Sequence, residues 1–280
     1  MNIFTDASNE LRPAFRMLVF FLFSLLVLAV VQTLVKLGGV TEDASYQALV
    51  YPLEAAGILA VSTIVFRLLD HGSLAALGFR SGKAHLLGWG AFFSGVLSAG
   101  MVFTGERFSS AAQGVLRWHS EVFATRAFVL GLAIFFFAAG LEELMFRGYP
   151  FLALRRSLGR WGASMVLSLL FMGVHPSCYR PSAAVVSIFL AGIFFTQLFV
   201  LSKSLWLPIG FHFGWNLGQA WIFPFGIQNK TVIEAAGFDA KILGLSAGAE
   251  HSWWAAALFF VFVVVAELAL RKQKTSLTPP

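Results

Sequence analysis

Long apolar runs separated by short polar breaks set the pattern of this chain. Residues 17–37, 46–69, 86–104, 183–202, 205–225 and 252–270 are each long enough, as helices, to cross a hydrocarbon core of about 30 Å. A further run starts at Ala127, and a shorter one covers 161–175, closed by Pro176. Together they predict an all-α bundle of about eight transmembrane spans in one membrane domain, residues 1–280. A β-barrel is excluded, because its strands would alternate apolar and polar positions over short segments. The polar lead 1–16 precedes a long first span with no small-residue cleavage site after it, so that span is read as retained and not as a signal peptide. Residues 106–126 mix charges with apolar positions and predict an interfacial helix; 226–250 predict a polar loop. Glycines recur at Gly88, Gly90, Gly95 and Gly100 of the third span and at Gly210, Gly214 and Gly218 of the seventh. Such stripes of small residues let two helix backbones approach closely.

Composition agrees with the pattern. Of 280 residues, 58% are hydrophobic and 12% charged, about half the charged share of an ordinary soluble chain. The net charge is +6, but no basic run is interleaved with aromatics, so the excess is read as loop Lys and Arg facing lipid, not as a nucleic-acid surface. Eight spans put both termini on one side. That side receives 13 of the 20 Lys and Arg and the other side 7. The positive-inside rule then predicts cytoplasmic termini; the membrane itself is expected to be a bacterial cytoplasmic (inner) one. The single cysteine, Cys178, excludes an intramolecular disulfide and a thiolate metal site.

A few polar side chains interrupt the apolar runs, and they are where chemistry is expected. Glu142, Glu143 and Arg147 fall within the run that starts at Ala127; His175 ends another, and His212 and Asn216 lie in the seventh span. A charge at the centre of a spanning helix costs roughly 2.5–3.5 kcal/mol on insertion scales, so each needs a partner or a function. Glu143 and Arg147 are four apart, acid first, and predict an intrahelical ion pair in a supporting role. Glu142 points about 100° away from that pair and is left for chemistry. Desolvation makes such a carboxylate a stronger base. His212 and Asn216 share one helix face, where Asn216 can fix a histidine tautomer or donate to a developing oxyanion.

Depth links these groups. If the fourth helix runs on past Pro150 to Arg155, Glu142 and His175 each lie about 20 Å from one arginine-rich surface, and His212 about 14 Å from it. All three then occupy the inner half to the middle of the membrane. That requires Arg147 to lie inside the membrane and the fourth helix to be long, with a kink at Pro150. Glu142, His175 and His212 could then activate water directly, or hold a divalent metal such as zinc through two imidazoles and one carboxylate. The sequence leaves both open. Glu54, beside Pro52 in the second span, is one more intramembrane acid.

The residues resemble a known family. Glu142-Glu-Leu-Met-Phe-Arg147 is similar to an EExxxR motif, Phe171-Met-Gly-Val-His175 to FxxxH, and His212-Phe-Gly-Trp-Asn216 to HxxxN. In this order, over residues 127–219, they resemble the CPBP family of intramembrane proteases, which holds CAAX proteases and bacteriocin-processing or Abi proteins. The resemblance implies an endopeptidase acting on a membrane-associated peptide or protein. It implies that Glu142 and His175 activate water, that His212 and Asn216 bind metal or stabilise the oxyanion, and that Glu143 and Arg147 support them. Two other readings fit the same charges: a proton- or ion-coupled transporter using Glu54, Glu142 and the histidines, and a non-enzymatic immunity-type membrane protein. No HExxH motif is present.

Overall fold

A computed structural model of the chain describes residues 11–40, 44–79, 84–109, 126–175, 183–223 and 249–275. Among these residues it forms a bundle of eight α-helices: α1 (Pro13–Leu37), α2 (Ala44–Asp70), α3 (Ala84–Ser109), α4 (Arg126–Arg147), α5 (Tyr149–Gly173), α6 (Ala183–Ser202), α7 (Trp206–Leu217) and α8 (Trp253–Thr275). Most of the expected interfacial helix over 106–126, most of the loop 226–250, and Pro176 and Cys178 lie outside the described residues.

Among the described residues, six stretches are long and apolar enough to cross a membrane: Pro13–Leu37, Tyr46–Asp70, His85–Glu106, Phe128–Gly173, Ala183–Ser202 and Trp253–Gln273. The fourth holds two helices. Its 46 residues would extend about 69 Å as one straight helix, more than twice a hydrocarbon core. The chain reverses at Gly159, whose φ of 68° and ψ of −178° suit glycine alone. The reversal is real in three dimensions, because His175 returns to within 3.7 Å of Glu142.

The fourth helix differs from the sequence expectation in its details. α4 stops at Arg147, and the break is at Gly148, with non-helical ψ of −128°. The Gly148 N–H bonds back to Glu143 O, five residues away, at 3.1 Å. Pro150 therefore does not kink a continuous helix; it lies in the first turn of α5, where its missing N–H leaves no bond unmade. The chain nevertheless continues helically past Arg155, and Arg147 is buried within the bundle.

Charged groups tie one end of the bundle together. Arg16, at the start of α1, and Arg156 both bond Asp70, at the end of α2, and the Tyr149 hydroxyl donates to the other oxygen of Asp70 at 2.7 Å. Arg160 grips Glu267 of α8 through two nitrogens at 2.7 and 3.0 Å. Bidentate geometry of this kind gives an arginine–carboxylate pair its directionality.

α7 sits in the middle. With 12 residues it spans about 18 Å, and nearly all of its residues are buried. It packs on α3, α4 and α6. Against α3 the contact is backbone on backbone. A methyl at Gly210 would overlap the Gly88 carbonyl, one at Gly214 the Phe92 carbonyl, and one at Gly95 the Phe211 carbonyl. Gly90 faces open space. The seventh span was expected to run to 225; instead the α-helix gives way at Gly218 to a π-helical turn, Gly218–Ile222.

Candidate active site

The two carboxylates of α4 meet the histidines of α5 and α7. Glu143, fully buried, accepts from Arg147 Nη1 at 3.2 Å and from His212 Nδ1 at 2.9 Å. Arg147 Nη2 donates to the Gly192 carbonyl of α6 at 2.9 Å. Its guanidinium lies over Phe171, 4.4 Å from the ring centre, and near Phe195 at 5.3 Å, contacts that suit a weakly hydrated cation. The expected Glu143–Arg147 pair is therefore present. What the sequence missed is that Glu143 also reaches across to His212. Asn216 was expected as the tautomer-setting neighbour, whereas Glu143 takes that place.

Each histidine has its Nδ1 proton assigned by an acceptor. The ionised Glu143 oxygen receives the His212 Nδ1–H. The Phe171 carbonyl lies 2.6 Å from His175 Nδ1, and a carbonyl only accepts, so this nitrogen also carries a proton. The ring of His212 stacks on Phe195 at 4.9 Å, and that of His175 lies 4.5 Å from Phe171. Both imidazoles are thereby fixed, and both turn Nε2 toward Glu142. Oε2 of Glu142 lies 3.7 Å from His175 Nε2 and 3.7 Å from His212 Nε2. That oxygen is itself buried and has no hydrogen-bond partner.

Three acceptor atoms thus converge with no donor between them. Such an arrangement is repulsive unless a proton, a water or a cation lies in the triangle. The donor types suit zinc, but tetrahedral zinc ligands stand about 3.3 Å apart. The 3.7 Å separations are wider. As they stand, no three His, Cys, Asp or Glu side chains among the described residues are placed to hold an ion.

Beside the triangle is a cleft of about 400 Å³, lined by Phe171, His175, Ser187, Ile188, Ala191, Phe195, His212, Trp215, Asn216, Gln219 and Phe259. It lies between α5, α6, α7 and α8, at the end of the bundle away from Arg16, Asp70 and Arg160. His175 follows the last turn of α5, Ser187 and Phe259 lie in the second turns of α6 and α8, and Asn216 ends α7. Glu142 is about one-third exposed and His175 about one-quarter, while His212 is buried. Asn216 lines the cleft with His212, one helical turn apart, as expected. Glu54 accepts from Gln32 Nε2 at 2.8 Å and is satisfied locally. Outside the spans, burial holds the pKa of His251 below the ordinary histidine value.

Gln219 was not singled out in the sequence. Its Oε1 accepts the Ala249 N–H at 2.9 Å and its Nε2 reaches Asn216 Oδ1 at 3.5 Å. Its spacing, three residues after Asn216 and seven after His212, was the available signal.

Residues 124–218 match a family model described as type II CAAX prenyl endopeptidase Rce1-like. No curated protein and no solved structure matches the chain. The matched residues take in Glu142, Glu143, Arg147, His175, His212 and Asn216. The segment that builds this carboxylate–histidine centre is thus similar to the type II CAAX prenyl endopeptidases.

Proposed function

We propose that this integral membrane protein is an intramembrane endopeptidase in which Glu142 is the general base for a water held between Glu142, His175 and His212. One observation carries the reading: a buried, unpartnered carboxylate oxygen faces two imidazole Nε2 atoms at 3.7 Å each. Water offers two protons to three acceptors. One further proton therefore belongs in the triangle, and His212 is its place, because Glu143 compensates an imidazolium there. Glu142 removes a proton from the water as its oxygen bonds to the scissile carbonyl carbon. His175 Nε2 accepts the second hydrogen and holds the water in line. His212 Nε2–H and the Asn216 amide stabilise the oxyanion. Glu142 then passes its proton to the amide nitrogen as the C–N bond breaks, which restores the carboxylate.

The metal version of the reaction uses the same ligands: Glu142, His175 and His212 would hold the ion, which would supply hydroxide at neutral pH. The apolar cleft suits an extended peptide or a lipid-modified one; a prenyl group is the modification that the matched family's description names.

The test is cleavage of a fluorogenic membrane peptide by the purified protein in nanodiscs. Glu142→Gln is expected to lower kcat by at least 10³-fold while leaving thermal unfolding unchanged, since the substitution is isosteric and partly exposed. Exhaustive chelation is expected to leave the wild-type rate intact. Full activity in Glu142→Gln would end the general-base reading. A loss on chelation that zinc restores would assign an ion to the triangle. Glu142-dependent proton flux without cleavage would favour a transporter.

A further inference from the structure

The orientation of a side-chain amide is legible where a group of fixed polarity anchors one end. The Ala249 N–H can only donate, so the Gln219 atom facing it at 2.9 Å is the oxygen. Gln219 must then present its NH₂ at the other end. That end meets Asn216, which must answer with its carbonyl oxygen, at 3.5 Å. The Asn216 NH₂ is thereby turned away from Gln219 and left for another acceptor, and both residues line the cleft.

We infer that Gln219 is a positioning residue, which sets the flip of Asn216 so that a donor, and not an acceptor, faces the substrate carbonyl. The inference rests on the oxyanion role proposed for Asn216. Three further features support it. Gln219 is buried and lines the same cleft, so its contacts are made away from bulk water. It lies on the π-helical turn Gly218–Ile222, closed by the Phe223 N–H on Gly218 O at 2.7 Å. Single π turns of this kind redirect side chains and recur at functional sites. The Ala249 amide that anchors the relay opens the Ala249–His251 turn, which leads through Ser252 into α8. Ser252 caps α8 by accepting the Trp254 N–H at 3.0 Å, and its hydroxyl bonds Glu106 of α3. The seating of the α8 entry and the polarity of the cleft donor are therefore coupled through one glutamine.

Gln219→Glu isolates the effect. A carboxylate still accepts from Ala249 but no longer donates to Asn216, so Asn216 is expected to turn its NH₂ toward position 219 and present its oxygen to the cleft. In the nanodisc assay at pH 8, kcat should fall on the order of 10²-fold, the loss typical of one oxyanion donor, with KM unchanged. Combined with Asn216→Ala, Gln219→Glu should add no further loss, because both remove the same donor. Hydrogen exchange at the Ala249 amide should stay slow in Gln219→Glu and become fast in Gln219→Met, which separates positioning from seating of the turn. A kcat within twofold of wild type in Gln219→Glu overturns the inference, and so does a loss that multiplies with that of Asn216→Ala. Those results leave the peptidase reading standing so long as Asn216→Ala and Glu142→Gln are impaired. An unimpaired Asn216→Ala removes the oxyanion role and this relay together.

Discussion

A guanidinium and a carboxylate held away from water depend on each other. Arg147 and Glu143 have side chains 1% and 0% exposed, and His212 and the Gly192 carbonyl complete their surroundings. Removing one partner of a buried pair leaves an uncompensated charge, which costs about 3–5 kcal/mol. Arg147→Ala is therefore expected to lower the thermal unfolding midpoint sharply in nanodiscs and to reduce activity with it. Arg147→Ala with an unshifted midpoint would show that the pair orients His212 without holding the bundle. At this scale the sequence was informative where spacing alone decides. Glu143 and Arg147 are four apart, and so are His212 and Asn216, and helix periodicity puts each pair on one face. The bond between Glu143 and His212 was not legible, because it joins residues 69 positions apart in sequence, and neither α4 nor α7 contains the information about how the other is rotated. Gln219 was missed for a similar reason: its partner Ala249 lies beyond a 30-residue separation.

Helix length and helix contact set the next scale. Among the described residues, the apolar runs located α1 to α8, because hydrocarbon thickness sets the length of a spanning run; α7, at 12 residues, departs from that length. Their ends were harder. α4 breaks at Gly148 and not at Pro150, since a proline in the first turn of a helix leaves no hydrogen bond unmade. α7 ends early in a π turn, a choice made by packing and not by hydropathy. The glycine stripes were legible as a close-contact signal, but the sequence did not say which glycines take part. The structure separates them. Gly214→Ala would drive a methyl into the Phe92 carbonyl, a backbone atom that cannot rotate aside. Overpacking of that kind costs typically 1–3 kcal/mol, and here it also shifts the helix that carries His212 and Asn216. Gly214→Ala is expected to lose both unfolding temperature and kcat, while Gly90→Ala, which meets nothing within 4 Å, should match wild type or exceed it. Equal behaviour of the two variants would mean that α3 and α7 are not held by this seam.

The whole molecule has two unlike ends. Arg16, Asp70, Arg156, Arg160 and Glu267 gather at one of them, and the cleft lies toward the other. The sequence placed the site between the inner half and the middle of the membrane, by counting residues from the arginines. The cleft runs from His212 and Phe195, in the middle of α7 and α6, toward the helix ends farthest from them. If the arginine end is cytoplasmic, as the Lys and Arg distribution predicts, a substrate meets the cleft from the opposite leaflet. Single cysteines in a Cys178→Ser chain measure this directly. Val174→Cys, exposed beside His175, is expected to react with a membrane-impermeant maleimide in intact cells, and Arg155→Cys only after permeabilisation. The reverse pattern would place the cleft on the cytoplasmic face.

The brevity of α7 bears on how the protein is made. A helix of 12 residues, about 18 Å long, is too short to cross a hydrocarbon core. It becomes stable only when α3, α4 and α6 already surround it. During synthesis, then, the triangle of Glu142, His175 and His212 cannot exist while the early helices enter the membrane one by one. It closes only when α7 is drawn in from the ribosome side of the nascent bundle, so a chain truncated before Trp206 carries Glu142 and His175 but no assembled centre. Assembly of this centre is, in this fold, a late event of synthesis.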